Sequence, residues 1–158
     1  MEAVKAVVAA VLFVLQAIGL GAPAPESDYE DEYRRAAATF PEPMPPGTAF
    51  PQSMGGSIQP YNDHLLAPGV GEQVVAFTWL CAWENEFVTA LHADDTARAT
   101  DALEMVEKWP TLPYARDSAD ESAGWREDVV SRARAGDPSG MVSDLTSICV
   151  DAPWVAAG

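Results

Sequence analysis

Residues 72–91 read EQVVAFTWLCAWENEFVTAL, and this stretch decides the fold. Its apolar side chains recur at the spacing of an α-helix and form one stripe, which is made up of Val74, Phe77, Cys81, Val88 and Leu91 and is widened by Val75, Leu80 and Phe87. Glu84 interrupts that stripe. The pattern predicts a helix over residues 72–91 whose apolar face is directed at a core.

The next segment predicts a second helix. Asp and Thr at residues 94–96 are candidates for its N-cap, and Pro110 stops it. Glu104 and Lys108 stand four residues apart, which is the spacing of a favourable ion pair on an exposed helix face. We therefore expect a helix that runs from residues 94–96 to Pro110.

Two more helices are predicted towards the C-terminus. Ser118 stands three residues before Glu121, as in a capping box, and the helix that it opens should end near Gly136. The pair at residues 137–138 is Asp-Pro, which suits a cap followed by proline at the first helical position. The last helix should then run up to Cys149.

The chain contains no alternating strand pattern of any length, so we expect an all-α fold. The predicted architecture is a small bundle of about four helices. It occupies a helical domain over residues 71–154, which is followed by a short tail over residues 155–158.

Upstream of the bundle, prolines recur through residues 41–70. Proline fixes φ and lacks an N–H donor, so this segment excludes a long helix or a central strand. It is either an extended linker or a strap laid over the domain, and apolar residues such as Phe50 and Met54 favour the strap. Residues 25–40 form an acidic juxtamembrane segment, in which helical spacing predicts a short helix over Tyr29–Thr39.

The leader, residues 1–24, carries Lys5 and then an apolar run broken only by Gln16. The run from residue 6 to residue 24 makes roughly 28 Å of helix, close to the ~30 Å hydrocarbon thickness of a bilayer. We expect an uncleaved transmembrane anchor, with a cleaved signal peptide as the alternative. A buried core helix is disfavoured because the run has no polar face.

Orientation depends on the two cysteines, Cys81 and Cys149, because the basic residues on the two sides of the leader nearly tie. In an oxidising compartment they are a natural disulfide pair, and closing so long a loop suggests roughly 4 kcal/mol of stabilisation. The alternative is two unpaired buried thiols in a cytosolic protein. We expect the disulfide, and with it a single-pass membrane protein whose C-terminal domain is extracytoplasmic, or else a secreted domain.

The formal net charge is −15 at pH 7. With no basic stripe to neutralise phosphates, the chain is not expected to bind nucleic acid, and the same charge opposes electrostatic binding to anionic lipid. A solvated acidic surface accounts for most of this charge. Cationic partners, or loose binding of divalent cations by residues 26–32, are further interpretations.

Four tryptophans are the candidate ligand-binding residues: Trp79, Trp83, Trp109 and Trp125. Exposed indoles stack on sugar rings or peptides, but tryptophan more often packs in or near the core. The only histidines, His64 and His92, have nearby carboxylates but no matched metal-ligand or catalytic spacing. A twelve-residue calcium loop over residues 117–128 lacks the required ligands and glycine.

No Cys-x-x-Cys, zinc quartet, phosphate loop or nucleophile elbow occurs in the sequence, so we expect no cofactor, no metal and no catalytic residue. With its leader, its Pro-rich segment, residues 79–84 (WLCAWE) and Cys149, the chain resembles small uncharacterised exported or membrane-anchored proteins of GC-rich Gram-positive bacteria. The resemblance implies no activity and no functional residues.

We therefore expect a non-enzymatic, exported, membrane-anchored domain that binds another protein or is an accessory component of a cell-envelope complex. One alternative is an extracytoplasmic module that binds a small ligand or a carbohydrate through the tryptophans. A second alternative is an enzyme of unrecognised type.

Overall fold

A computed structural model describes residues 29–54, 69–112, 114 and 124–150. These residues contain helices and no strand, which confirms the all-α class. The α-helices are α1 (Tyr29–Thr39), α2 (Val70–His92), α3 (Thr96–Val106), α4 (Arg132–Arg134) and α5 (Ser139–Ile148). A 3₁₀ turn (Trp109–Thr111) follows α3, and a π-helical segment (Arg126–Ser131) leads directly into α4.

The central element is α2, which contacts α1, α3 and α5. Its buried residues surround most of the helix, and of the predicted stripe only Val75, Leu80, Cys81 and Phe87 are fully buried. The core instead centres on Trp79 and Trp83, because helices pack against more than one side of α2. Leu91, at the far end of the predicted stripe, is 37% exposed.

The second predicted helix ends earlier than expected. Asp95 caps α3 through its side chain, which accepts a hydrogen bond from the backbone N–H of Arg98 at 3.1 Å. At its other end α3 stops at Val106, and Pro110 lies inside the 3₁₀ turn. A proline disfavours the α-helical conformation of the residue before it, so the α-helix cannot continue smoothly into Pro110.

The described half of the Pro-rich segment, residues 41–54, lies against the bundle. The Pro43 carbonyl oxygen accepts hydrogen bonds from the indole N–H groups of both Trp79 and Trp83, each at 2.9 Å. At its far end Met54 is only 2% exposed. This part of the segment is therefore a strap rather than a free linker.

Two glycines allow backbones to approach closely. A Cβ atom at Gly71 would lie 2.5 Å from the backbone nitrogen of Tyr33, where α1 crosses α2. One at Gly140 would lie 1.8 Å from the carbonyl oxygen of Asp128, where α5 meets the π-helical segment. Any side chain at these two positions would force the packed elements apart.

Within the described residues, no helix combines the length and apolar character that crossing a membrane requires. The predicted anchor at residues 1–24 lies outside the described residues, as do residues 55–68 of the Pro-rich segment and the tail. The anchor stays a prediction from the sequence.

Candidate functional site

The predicted disulfide is confirmed. Cys81, in the middle of α2, is bonded to Cys149, directly after α5, with Cα atoms 5.7 Å apart. Both residues are buried, at 2% and 1% exposure respectively. The bond therefore fastens the end of the last helix to the centre of the bundle.

A carboxylic acid lies against this disulfide. Glu84 stands one turn after Cys81 on α2 and is 0% exposed. Its Oε2 atom lies 3.7 Å from the Sγ atom of Cys149, while its Oε1 atom has no hydrogen-bond partner among the described residues. Asp144 of α5 lies within hydrogen-bonding reach of the same carboxyl group, and it also accepts a hydrogen bond from the indole N–H of Trp125 at 2.8 Å.

The surroundings of Glu84 favour its neutral form. Burial raises the pKa of the Glu84 carboxyl well above its usual range, and the charge and hydrogen bond of Asp144 raise it further. A protonated Glu84 donates to Asp144, which supplies the partner that an ionised Oε1 atom would lack. We call Cys81, Glu84, Asp144 and Cys149 the disulfide cluster.

A second feature is an open groove of about 500 Å³ between α2, α3 and the α4–α5 connection. Its apolar lining includes Phe87, Leu91, Leu103 and Pro138, and two small buried residues, Ala99 and Ala133, leave it space. Charged side chains also line it, namely Glu104, Glu107 and Arg134. Arg134 donates two hydrogen bonds to the carboxylate of Glu107.

The four tryptophans do not line this groove. Trp79 is 0% exposed, and Trp83 and Trp109 are 7% exposed each. Trp109 packs on Phe77 with ring centroids 5.1 Å apart, and Trp125 is half-buried against Asp144. The four tryptophans therefore pack in or beside the core. Ligand binding by the tryptophans stays a prediction.

The histidines are not brought into a described site. His92 is exposed at the last position of α2, and His64 lies outside the described residues. Nearby, the expected capping role is confirmed for Asp95, whereas Asp94 adopts a left-handed conformation with φ of 56°. Asp94 therefore lies in the turn after α2, and Asp95 begins α3.

Sequence reasoning missed both the groove and the disulfide cluster. The signal for the cluster was present, because Glu84 stands out as the one carboxylate in an apolar stripe three residues from Cys81. The signal for the groove was weaker. Leu91 is the last residue of the apolar stripe, and it lies beyond the part of α2 that the other helices cover.

No family model matches the chain, and no curated protein or solved structure matches it either. The chemistry of this protein must therefore be inferred from the groove and the disulfide cluster themselves.

Proposed function

We propose that this protein is an exported, membrane-anchored, non-enzymatic helical domain that binds another protein of the cell envelope through the groove. The observation that carries this proposal is the open groove itself, with apolar side chains from α2, α3 and the α4–α5 connection facing one space. Leu91, at 37% exposure, lines this space, so a partner that covered the groove would bury apolar surface that now meets water.

A protein partner suits the groove better than a small molecule. Sites for small ligands usually enclose most of the ligand surface, whereas this groove is open to solvent. An apolar helix or loop of a partner would cover the floor of the groove, while the flanks of that helix or loop stayed in water. The four-residue spacing of helical side chains matches a groove of this type.

Charge further defines the partner. Glu104 and Glu107 lie at the groove, Arg134 is the one cationic side chain among its described lining residues, and the whole chain carries a net charge of −15. Complementary charge mainly increases the rate and specificity of association. The partner segment is therefore apolar on one face and basic at its edges, and its binding should weaken as salt is added.

Photo-crosslinking of the full-length protein in its native envelope tests this proposal. A photoreactive amino acid is placed at Thr100, which lines the groove, and in a matched protein at Thr146 of α5, which does not. The two threonines are both exposed, and each hydroxyl bonds to the carbonyl four residues earlier, at 2.8 Å. Position 100 should capture a specific protein that position 146 does not.

Affinity for the identified partner then decides the matter. Thr100→Trp fills the groove and should weaken binding roughly tenfold or more, while Thr146→Trp should leave it unchanged. Equal capture at both positions, or a captured protein that binds Thr100→Trp as tightly as the wild type, would refute the groove as the binding site.

The export and the anchor are supported by the leader pattern and by the disulfide, since disulfides persist mainly in oxidising compartments. Intact mass of the protein from its native envelope fraction, before and after reduction and alkylation, tests both. A full-length mass that gains two alkyl groups only after reduction is expected. A mass without the leader would replace the anchor by a cleaved signal peptide, and two thiols reactive without reduction would refute export.

A further inference from the structure

The disulfide cluster contains three groups that bind soft divalent cations when they are ionised. The Sγ atoms of Cys81 and Cys149 and a carboxylate oxygen of Glu84 all lie within 4.8 Å of one another. All three residues are fully buried. In the oxidised protein the two sulfur atoms are bonded to each other, so the cluster has a second chemical state only after reduction.

We propose that the reduced protein binds one zinc-type divalent cation through Cys81, Cys149 and Glu84. Sulfur and carboxylate oxygen are the ligands that Zn²⁺ commonly takes in proteins, at about 2.3 Å and about 2.0–2.2 Å respectively. Around a tetrahedral ion such bonds place neighbouring ligand atoms roughly 3.5–3.8 Å apart. Glu84 Oε2 already lies 3.7 Å from Cys149 Sγ, and the two sulfur atoms must move apart once the bond between them is reduced.

Position along the helices favours the same arrangement. Cys81 and Glu84 are three residues apart on α2, so their side chains share one helix face. Cys149 follows directly after α5 and reaches that face with its Cα atom 5.7 Å from that of Cys81. Because the ligands lie 3 and 65 residues apart in the chain, no compact zinc motif marks them in the sequence.

The Glu84 carboxyl needs a new partner once it loses the proton that it donates to Asp144. Glu84 Oε1 is buried and has no hydrogen-bond partner among the described residues. A buried carboxylate oxygen normally has a hydrogen bond, an ion or a metal beside it. In the reduced protein a cation bound to Glu84 supplies that partner, and Asp144, which is not one of the three grouped ligands, lies within hydrogen-bonding reach of the Glu84 carboxyl.

The chemistry balances in two steps. A phosphine reductant and one water molecule convert the disulfide to two thiols, and the phosphine leaves as its oxide. One divalent cation then replaces three protons, one from each thiol and one from the Glu84 carboxyl. The reduced state is the one that a chain has before it reaches an oxidising compartment, so the cation and the disulfide are alternative ways to join α2 to α5.

Cobalt titration of the full-length protein tests the proposal. The protein is reduced with a phosphine in urea, refolded without oxygen and titrated with Co²⁺, whose thiolate charge-transfer absorption reports sulfur coordination. One equivalent of Co²⁺ should saturate the signal, Zn²⁺ should displace it, and the oxidised protein should show none. Glu84→Gln should weaken binding roughly tenfold or more.

The matched control is Glu86→Gln, which changes the same residue type on the same helix but alters a partly exposed carboxylate paired with Arg98. It should bind Co²⁺ like the wild type. Should the reduced chain fold only with metal, far-ultraviolet circular dichroism replaces absorption as the signal. Absence of thiolate coordination, or equal affinities for wild type and Glu84→Gln, would overturn the proposal, whatever the outcome for the groove.

Discussion

The buried acid Glu84 should make the stability of the oxidised protein depend on pH. Burial first, and Asp144 second, hold the pKa of its folded carboxyl well above the usual value of 4.5. Above a pH of about 4.5 the unfolded chain therefore releases the Glu84 proton, whereas the folded protein keeps it. The stability from this proton is fully present below the unfolded pKa and is lost as pH rises through the folded pKa.

Replacing Glu84 by glutamine removes this titration while keeping the size of the side chain and a donor towards Asp144. Between the unfolded and the folded pKa of Glu84, a difference of one bound proton gives a limiting slope of about 1.4 kcal/mol per pH unit. Relative to Glu84→Gln, the wild type should lose free energy of unfolding with rising pH at up to this slope.

Urea denaturation of both oxidised proteins at closely spaced pH values and constant ionic strength measures the effect. The quantity to plot is the difference in unfolding free energy between wild type and variant, because contributions from the other carboxylates largely cancel in it. Glu86→Gln, which removes a carboxylate from the same helix but keeps Glu84, is the control. Asp144→Asn should narrow the pH window without abolishing it, since burial is the larger cause.

The reasoning fails if the difference between wild type and Glu84→Gln is constant across the whole pH range. That result would mean that the folded and unfolded proteins hold the Glu84 proton equally well. A wild type that gains unfolding free energy relative to Glu84→Gln as pH rises would also refute it, because it would mean that the folded state favours the ionised carboxylate.

Two further variants test how the bundle is held together. Replacing both Cys81 and Cys149 by alanine removes the disulfide between residues 68 apart in the chain, and should lower the free energy of unfolding in urea by about 4 kcal/mol. A decrease of less than about 1 kcal/mol would contradict the prediction. Gly140→Ala places a Cβ atom on a backbone carbonyl and should lower the Tm strongly or prevent folding. The control is Gly124→Ala, whose Cβ atom meets no atom within 4 Å. Equal melting temperatures for the two variants would show that the close approach at Gly140 is absent.

Local rules explain what could be predicted. The short helix predicted over Tyr29–Thr39 has those bounds in the structure, since acidic residues at its start and helical spacing are features of neighbouring residues. The start of α3 followed from the capping residue Asp95 for the same reason. Cys81 and Cys149 could be paired because a chain with two cysteines allows only one intramolecular bond.

Contacts between distant segments, and local deviations from a regular helix, could not be predicted from neighbouring residues. Lys108 was expected to pair with Glu104 one turn away, yet its ammonium group lies 2.7 Å from the carboxylate of Glu42 in the strap. Likewise the π-helical segment is a local deviation in a stretch where the capping box predicted an ordinary α-helix.

The sequence by itself determined the helical class, the order of the main helices and the disulfide, because periodicity, caps and cysteine count depend on composition and near neighbours. Only the tertiary structure decided that Glu84 is enclosed beside the disulfide, with Asp144 from another helix next to it. It also decided that Leu91 and Leu103 face an open groove. Burial and proximity arise when helices distant in the chain pack together, and no local pattern encodes that distance.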